Sequence, residues 1–285
     1  MTDSTRLKVV LVQAQLCWQD AAANRDHLSA LMDRSPGGDL YVLPETFTTG
    51  FLGDADTDAE PYHGPSLAWL AEQAKSRSAA ITGSLAVADA AGLRRNRMVF
   101  MPPDGEARWY DKRHLFAFGG EDERYSAGDE AVVVSWRGWR IDLQICYDLR
   151  FPVWCRNDRD YDLQLYVANW PSPRVEAWRL LLQARALENQ AYVIGVNRTG
   201  QDGKGVDYPG RSAVIDAAGE RLLELGSEES VEAVTLDLDA LRAVREKLPF
   251  LQDRDQFSIQ SRVRITPTPR PSMAKSSSGR IGMDS

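Results

Sequence analysis

A single mixed α/β domain is the fold class that this chain predicts. Short apolar runs alternate with helical patterns from about Leu7 to about Phe257, so strands and helices are interleaved rather than segregated. Hydrophobic residues make up 43% of the 285, enough to fill a substantial core. The composition changes only after Phe257, where Pro267, Pro269, Pro271 and the serines 276–278 replace the periodic pattern. Residues 1–6 read as a flexible N-terminus, 7–257 as the domain and 258–285 as an extension. That extension is expected to be flexible from about 266, because it buries too little apolar surface to offset its ordering entropy.

In chain order, the patterns predict a strand at 8–12, a helix at 22–32 and a strand at 39–43. Leu40–Val42 and Leu43 form one apolar run, as expected of a strand covered on both faces, and Pro44 ends its ladder. A helix over 65–77 follows, then strands at 79–87, 97–101, 131–136 and 139–146. Along Ile141 to Cys146 apolar and polar residues alternate. That places Cys146 on the side of Asp142 and Gln144, opposite Ile141, Leu143 and Ile145. Next come a helix at 150–157, a strand at 162–167 and a helix at 174–189. On that last helix Arg185 shares the apolar stripe of Trp178 and Leu182, which predicts a buried arginine paired with an acid such as Glu188. Strands at 192–196, 212–216 and 221–225 are expected, the last after a turn at Gly219. A strand at 231–237 and a helix at 240–247 complete the set.

Charge and cysteine usage exclude several functions. The formal net charge is −7 and no basic run occurs, so nucleic acid is not an expected partner. No stretch approaches the ~20 apolar residues that cross a bilayer, and the first residues lack the apolar core of a signal peptide. No membrane partner is expected. Cys17, Cys146 and Cys155 are an odd set, which argues against a disulfide framework and for a reducing, cytoplasmic setting. His27, His63 and His114 are scattered, and the cysteines lack zinc-pair spacing, so neither a metal nor another cofactor is expected.

Three segments carry the chemistry. Glu45 stands in Leu43-Pro44-Glu45-Thr46-Phe47, Lys112 in Tyr110-Asp111-Lys112-Arg113-His114, and Cys146 in Ile145-Cys146-Tyr147-Asp148-Leu149-Arg150-Phe151-Pro152. A carboxylate, an amine and a thiol, each beside a strand end, form a complete set for attack on an amide. Each residue alone has an ordinary structural reading: a solvated turn carboxylate, an exposed lysine and a small buried hydrophobe. Together they point to a nucleophile with a base and a cationic oxyanion partner. Cys17 and Cys155 lack such surroundings and read as structural.

The three segments resemble the Glu-Lys-Cys signature of the nitrilase superfamily of carbon–nitrogen hydrolases, over about Leu7 to Phe257. The segments 111–116, 146–154, 166–171, 184–190 and 245–250 look like the bacterial omega-amidase branch. The resemblance implies a four-layer α-β-β-α sandwich in a homodimer or higher homo-oligomer. It implies hydrolysis of the terminal amide of short α-keto acid monoamides, such as 2-oxoglutaramate and 2-oxosuccinamate, through a cysteine thioester. Lys112 close to the thiol would favour thiolate. Lys112 and the backbone N–H of Tyr147 would stabilise the oxyanion. A second, supporting glutamate is implied after the lysine, with Glu121 and Glu123 as the two candidates. Arg150 stands as a partner for the substrate carboxylate or as a brace for the following helix, and Phe47, Phe116, Phe118 and Trp170 as pocket walls. His114 is not needed as a base. Hydrolysis of N-carbamoyl amino acids or other small linear amides is the alternative activity. An idle scaffold and a redox-sensing thiol paired with Cys155 are the remaining classes.

Overall fold

The computed structural model describes residues 5–51 and 59–259. The expectation of a flexible tail from about 266 lies outside the described residues. Two sheets form the middle of the molecule. The first runs in the order β15-β1-β2-β4-β5-β6, built from β1 (Arg6–Gln13), β2 (Leu40–Val42), β4 (Ala80–Ala88), β5 (Arg94–Met101), β6 (Arg108–Asp111) and β15 (Ser230–Asp237). The short β3 (Glu60–Pro61) pairs with the far end of β4. The second sheet runs in the order β14-β13-β10-β9-β8-β7. Its strands are β7 (Val133–Trp136), β8 (Trp139–Ile145), β9 (Leu163–Ala168), β10 (Tyr192–Asn197), β13 (Ala213–Ile215) and β14 (Arg221–Glu224). A hairpin of β11 (Thr199–Gln201) and β12 (Asp207–Pro209) stands apart. Within each sheet three central strands are parallel, β1-β2-β4 and β8-β9-β10, and the flanking pairs are antiparallel.

The period-two alternation of the strands assigns the layers. Val9, Leu11, Leu40 and Val42 meet Ile141, Leu143, Ile145, Leu165 and Val167 between the sheets. Val10, Val12, Tyr41 and Ile81 face outward, under Leu28, Leu31 and Met32 of α1 (Ala21–Asp33) and Leu70 and Ala74 of α2 (Pro65–Arg77). On the far side, α3 (Val175–Asn189) lies so close to β10 that a Cβ at Gly195 would meet Leu182 and Trp178 at 2.6 Å. The result is a four-layer α-β-β-α sandwich. Burial on both faces explains why Leu40–Val42 reads as an unbroken apolar run. α4 (Leu238–Lys247) follows β15 and is capped by the Asp237 carboxylate, which accepts the N–H groups of Asp239 and Ala240.

Several boundaries and one helix depart from expectation. β1 begins at Arg6, inside the segment read as flexible. The helix expected at 150–157 is absent. Cys146–Arg150 forms a tight 3-10 turn, and the chain then leaves helical geometry at Phe151. Phe151 precedes Pro152, whose ring crowds a helical backbone at the residue before it. β3, β6, β11 and β12 were not expected. In Arg108–Asp111 only Tyr110 is buried, so that edge strand shows no apolar alternation.

Candidate active site

The carboxyl ends of the parallel strands deliver the chemistry-bearing side chains to one place, as open parallel sheets commonly do. Glu45 follows β2, Cys146 follows β8 directly and Asn169 follows β9, while Lys112 leaves the edge strand β6. Lys112 is fully enclosed. Its Nζ donates to Glu45 Oε1 at 2.8 Å and to the Glu121 oxygens at 3.1 and 2.9 Å. The Asn96 amide donates to both carboxylates, at 2.8 Å to Glu45 and 3.0 Å to Glu121. Glu45 Oε2 also accepts the Asn169 backbone N–H at 2.8 Å, and Glu121 Oε2 accepts the Phe116 N–H at 2.7 Å. Buried charges are tolerated only when paired and hydrogen-bonded, and these are both. Of the two candidate acids, Glu121 meets Lys112, while Glu123 is exposed at the pocket rim.

Electrostatics follow from that enclosure. Burial opposes charge on Lys112, but Glu121 and Glu45 outweigh it and hold the ammonium well above its usual range. Burial raises the Glu121 carboxyl, against the pull of Lys112. Burial likewise pushes the Cys146 thiol well above its usual range, and Glu45 adds to this. Lys112 draws the thiol down without prevailing. Lys112 thus favours thiolate, as expected, but burial and Glu45 outweigh its pull and the thiol rests neutral. Two carboxylates stand against one ammonium, so a third negative charge is disfavoured.

The nucleophile position also differs from the alternation argument. Asp142 and Gln144 are fully buried on the α3 side of β8, bonded to each other and, through Asp142, to Gln164 and Arg159. Cys146 does not share that face. The strand ends at Ile145, and Cys146 turns out of the ladder with a left-handed φ of 45°. Thr46, beside Glu45, also has a positive φ of 41°, and its N–H is held by Ser84 Oγ at 2.8 Å. Non-glycine residues in this region store strain and persist only where their surroundings enforce them. Here Asp148 does so. Its carboxylate accepts the N–H groups of Ile145 at 3.1 Å and His114 at 2.9 Å, and the Tyr110 hydroxyl at 2.8 Å. The His114 ring bonds the same carboxylate and stacks on Phe151, so it is occupied structurally.

Cys146 and Lys112 line a pocket of 480 Å³ with Phe116, Phe118, Tyr147, Arg150, Asn169, Trp170 and Arg174 among its walls. Tyr147 follows the thiol in the first turn of a 3-10 helix, where backbone N–H groups lack a helical partner. The Arg150 guanidinium lies 4.8 Å over the Trp170 ring, and with no helix following it the bracing role lapses. Phe47 is not a wall. It is fully buried against Trp69 under the helix layer. Arg185 is buried and pairs with Glu188 at 2.7 Å, as expected, and it also donates to the Leu149 carbonyl at 2.6 Å. Cys155 is buried, whereas Cys17 is exposed rather than packed. Among the described residues no three His, Cys, Asp or Glu side chains converge to hold a metal. Asn96, Asn169 and Asp148 escaped the sequence reading. Asp148 sits within the Cys146 motif, but the two amides carry no charge or periodicity that would mark them.

An enclosed Glu-Lys-Glu cluster beside a thiol, at the strand ends of a two-sheet sandwich, defines a class of amide-cleaving enzyme. The chain belongs to the carbon-nitrogen hydrolase family, whose profile matches residues 8–246, and it is a hydrolase of carbon–nitrogen bonds. It is 48% identical over 255 residues to Omega-amidase YafV of Yersinia enterocolitica, covering 89% of this chain and 98% of that protein. It is 35% identical over 224 residues to the 2-oxoglutaramate amidase of Bacillus subtilis (strain 168), covering 77% of this chain and 86% of that one. Among solved structures, XC1258 of Xanthomonas campestris, a CN-hydrolase superfamily protein with an arsenic adduct in its active site, matches with a TM-score of 0.87. Its identity is 47%, over 90% of this chain and 99% of that one.

Proposed function

We propose that this hydrolase is a cofactor-free omega-amidase, releasing ammonia from the terminal amide of 2-oxoglutaramate, 2-oxosuccinamate and similar short α-keto acid monoamides. One observation carries the reading beyond the family. Cys146 shares its pocket with Arg150, a guanidinium seated on Trp170 and without an ion-pair partner among the described residues. A planar guanidinium suits the carboxylate of a small keto acid, while the amide end reaches the thiol. The names of the relatives support the same substrate class.

The reaction uses the enclosed groups in order. Glu45 takes the thiol proton as Sγ attacks the amide carbon, since the thiol rests neutral. The oxyanion is stabilised by the Lys112 ammonium and the Tyr147 N–H. Glu45 returns its proton to the departing ammonia, leaving a thioester on Cys146. A water then gives its proton to Glu45 and attacks the thioester carbon. The second tetrahedral species expels sulfur, which recovers the proton, and the keto dicarboxylate leaves. Glu121 orients Lys112 and shares its charge. Phe116 and Trp170 flank the substrate.

Among the described residues no helix is long and apolar enough to cross a membrane. The unpaired cysteines suit a reducing cytoplasm. Leu180 and Leu187 on the outer face of α3 stand 63% and 49% exposed, which supports a homodimer or larger homo-oligomer.

Rapid quenching of wild-type protein turning over 2-oxosuccinamate, followed by peptide mass spectrometry, tests the chemistry. The expected adduct is the substrate less ammonia on the peptide bearing Cys146, with no turnover in Cys146→Ala. Turnover surviving in Cys146→Ala would overturn it.

A further inference from the structure

A second arginine faces the same pocket and has no role in the chemistry above. Arg174 ends the 3-10 turn Ser172–Arg174 that leads into α3. Its guanidinium lies 5.2 Å over the Phe116 ring, as that of Arg150 lies over Trp170. Its backbone is fixed by the other platform, because Trp170 Nε1 donates to the Arg174 carbonyl at 2.7 Å. Phe116 is fixed in turn by its N–H bond to Glu121. Among the described residues Arg174 has no carboxylate within ion-pair distance. The nearby acids do not answer it. Asp202 accepts the N–H groups of Lys204 and Val206 and the Tyr208 hydroxyl, at 2.9, 3.0 and 3.0 Å. Glu123 is exposed at the rim.

Two guanidinium groups, each laid on an aromatic ring, thus converge on a pocket that opens on a thiol. Stacking restricts the rotamers of both before anything binds, so less freedom is lost when an anion arrives. We propose that Arg174 is a specificity-determining residue, which binds the substrate carboxylate together with Arg150 and selects amides with an anionic end over neutral amides. The inference rests on the omega-amidase reading and adds to it the residue that enforces the choice. Arg174 touches the end of the substrate remote from the scissile bond, so its effect falls on binding more than on the chemical step.

The test is steady-state kinetics on 2-oxosuccinamate and on butyramide, a neutral amide, with wild type, Arg174→Gln, Arg174→Lys and Arg242→Gln. Arg242 is an exposed cation on α4 and controls for loss of net charge. Arg174→Gln is expected to raise KM for 2-oxosuccinamate about tenfold or more, with a smaller change in kcat. The selectivity ratio of the two kcat/KM values falls by a similar factor. Arg174→Lys, which keeps charge but loses the fork, lies between, and serves alone should the glutamine variant not fold. Arg242→Gln keeps the wild-type ratio. A wild-type preference that persists in both Arg174 variants overturns this role and leaves the omega-amidase reading standing. A wild type with no preference for the keto acid amide overturns both.

Discussion

At Cys146 the protein keeps its nucleophile in reserve. Burial and the Glu45 carboxylate hold the thiol above the ordinary range, so it is the protonated form that waits for substrate. The sign of the pH response follows. A group with a raised pKa stays protonated through neutrality, and its thiolate fraction grows as pH climbs past the ordinary thiol value of ~8.5. Modification of Cys146 by a small neutral thiol reagent lacking an amide should therefore be slow at neutral pH and still be rising beyond pH ~9. Peptide mass spectrometry separates it from exposed Cys17. A rate that levels off below pH ~8 would mean a resting thiolate. At this scale the sequence was informative where a residue has charge or nucleophilicity: Glu45, Lys112 and Cys146 stand together as read. It was silent on Asn96, whose side-chain amide donates to the Glu45 carboxylate, and on Asn169, whose backbone N–H donates to that carboxylate while its side-chain amide donates to the Glu45 carbonyl. An asparagine within or just after a strand, as Asn96 in β5 and Asn169 after β9, looks the same whether it braces a catalytic carboxylate or a loop.

The turn Cys146–Arg150 is the element on which the site depends, and Asp148 is its keystone. One buried carboxylate joins the end of β8, the Lys112 loop and Tyr110 of β6. Replacing it with alanine strands several buried donors, each costing about 1–3 kcal/mol. Asp148→Ala should lose at least about 2 kcal/mol in urea unfolding. A loss below about 0.5 kcal/mol would show that the turn is held by other means. The same turn explains the misread helix at 150–157. Cys146 has φ of 45° and Phe151 precedes a proline, so helical pattern in the side chains met a backbone that could not follow it. Strands with two covered faces were legible, Leu40–Val42 above all. The edge strand Arg108–Asp111 was not, because three of its four residues are outside the core.

Across the whole molecule, two parallel-centred sheets back to back bring strand ends from both into one pocket. That convergence, not any single segment, makes residues 45, 112, 121 and 146 neighbours. Layer order was not legible from periodicity, since an apolar run does not say which sheet covers it. It came from the resemblance of the motifs. The exposed Leu180 and Leu187 on α3 predict self-association, with light scattering after size exclusion giving at least twice the monomer mass. Leu180→Glu with Leu187→Glu should shift it to monomer, and a monomeric wild type at micromolar concentration would refute the idea. Substrate choice is likewise a property of the assembled pocket, and it decides the account. The measurement is kcat/KM for ammonia release from 2-oxosuccinamate and 2-oxoglutaramate, against glutamine, asparagine and N-carbamoyl amino acids. The keto acid amides should be preferred by about tenfold or more. They are preferred over glutamine and asparagine because the arginine-bearing pocket favours a carboxylate without an ammonium beside it. They are preferred over the N-carbamoyl compounds because the omega-amidase reading places a terminal amide, not a ureido group, at the thiol. Equal or faster hydrolysis of the N-carbamoyl compounds or the amino acid amides would contradict the assignment.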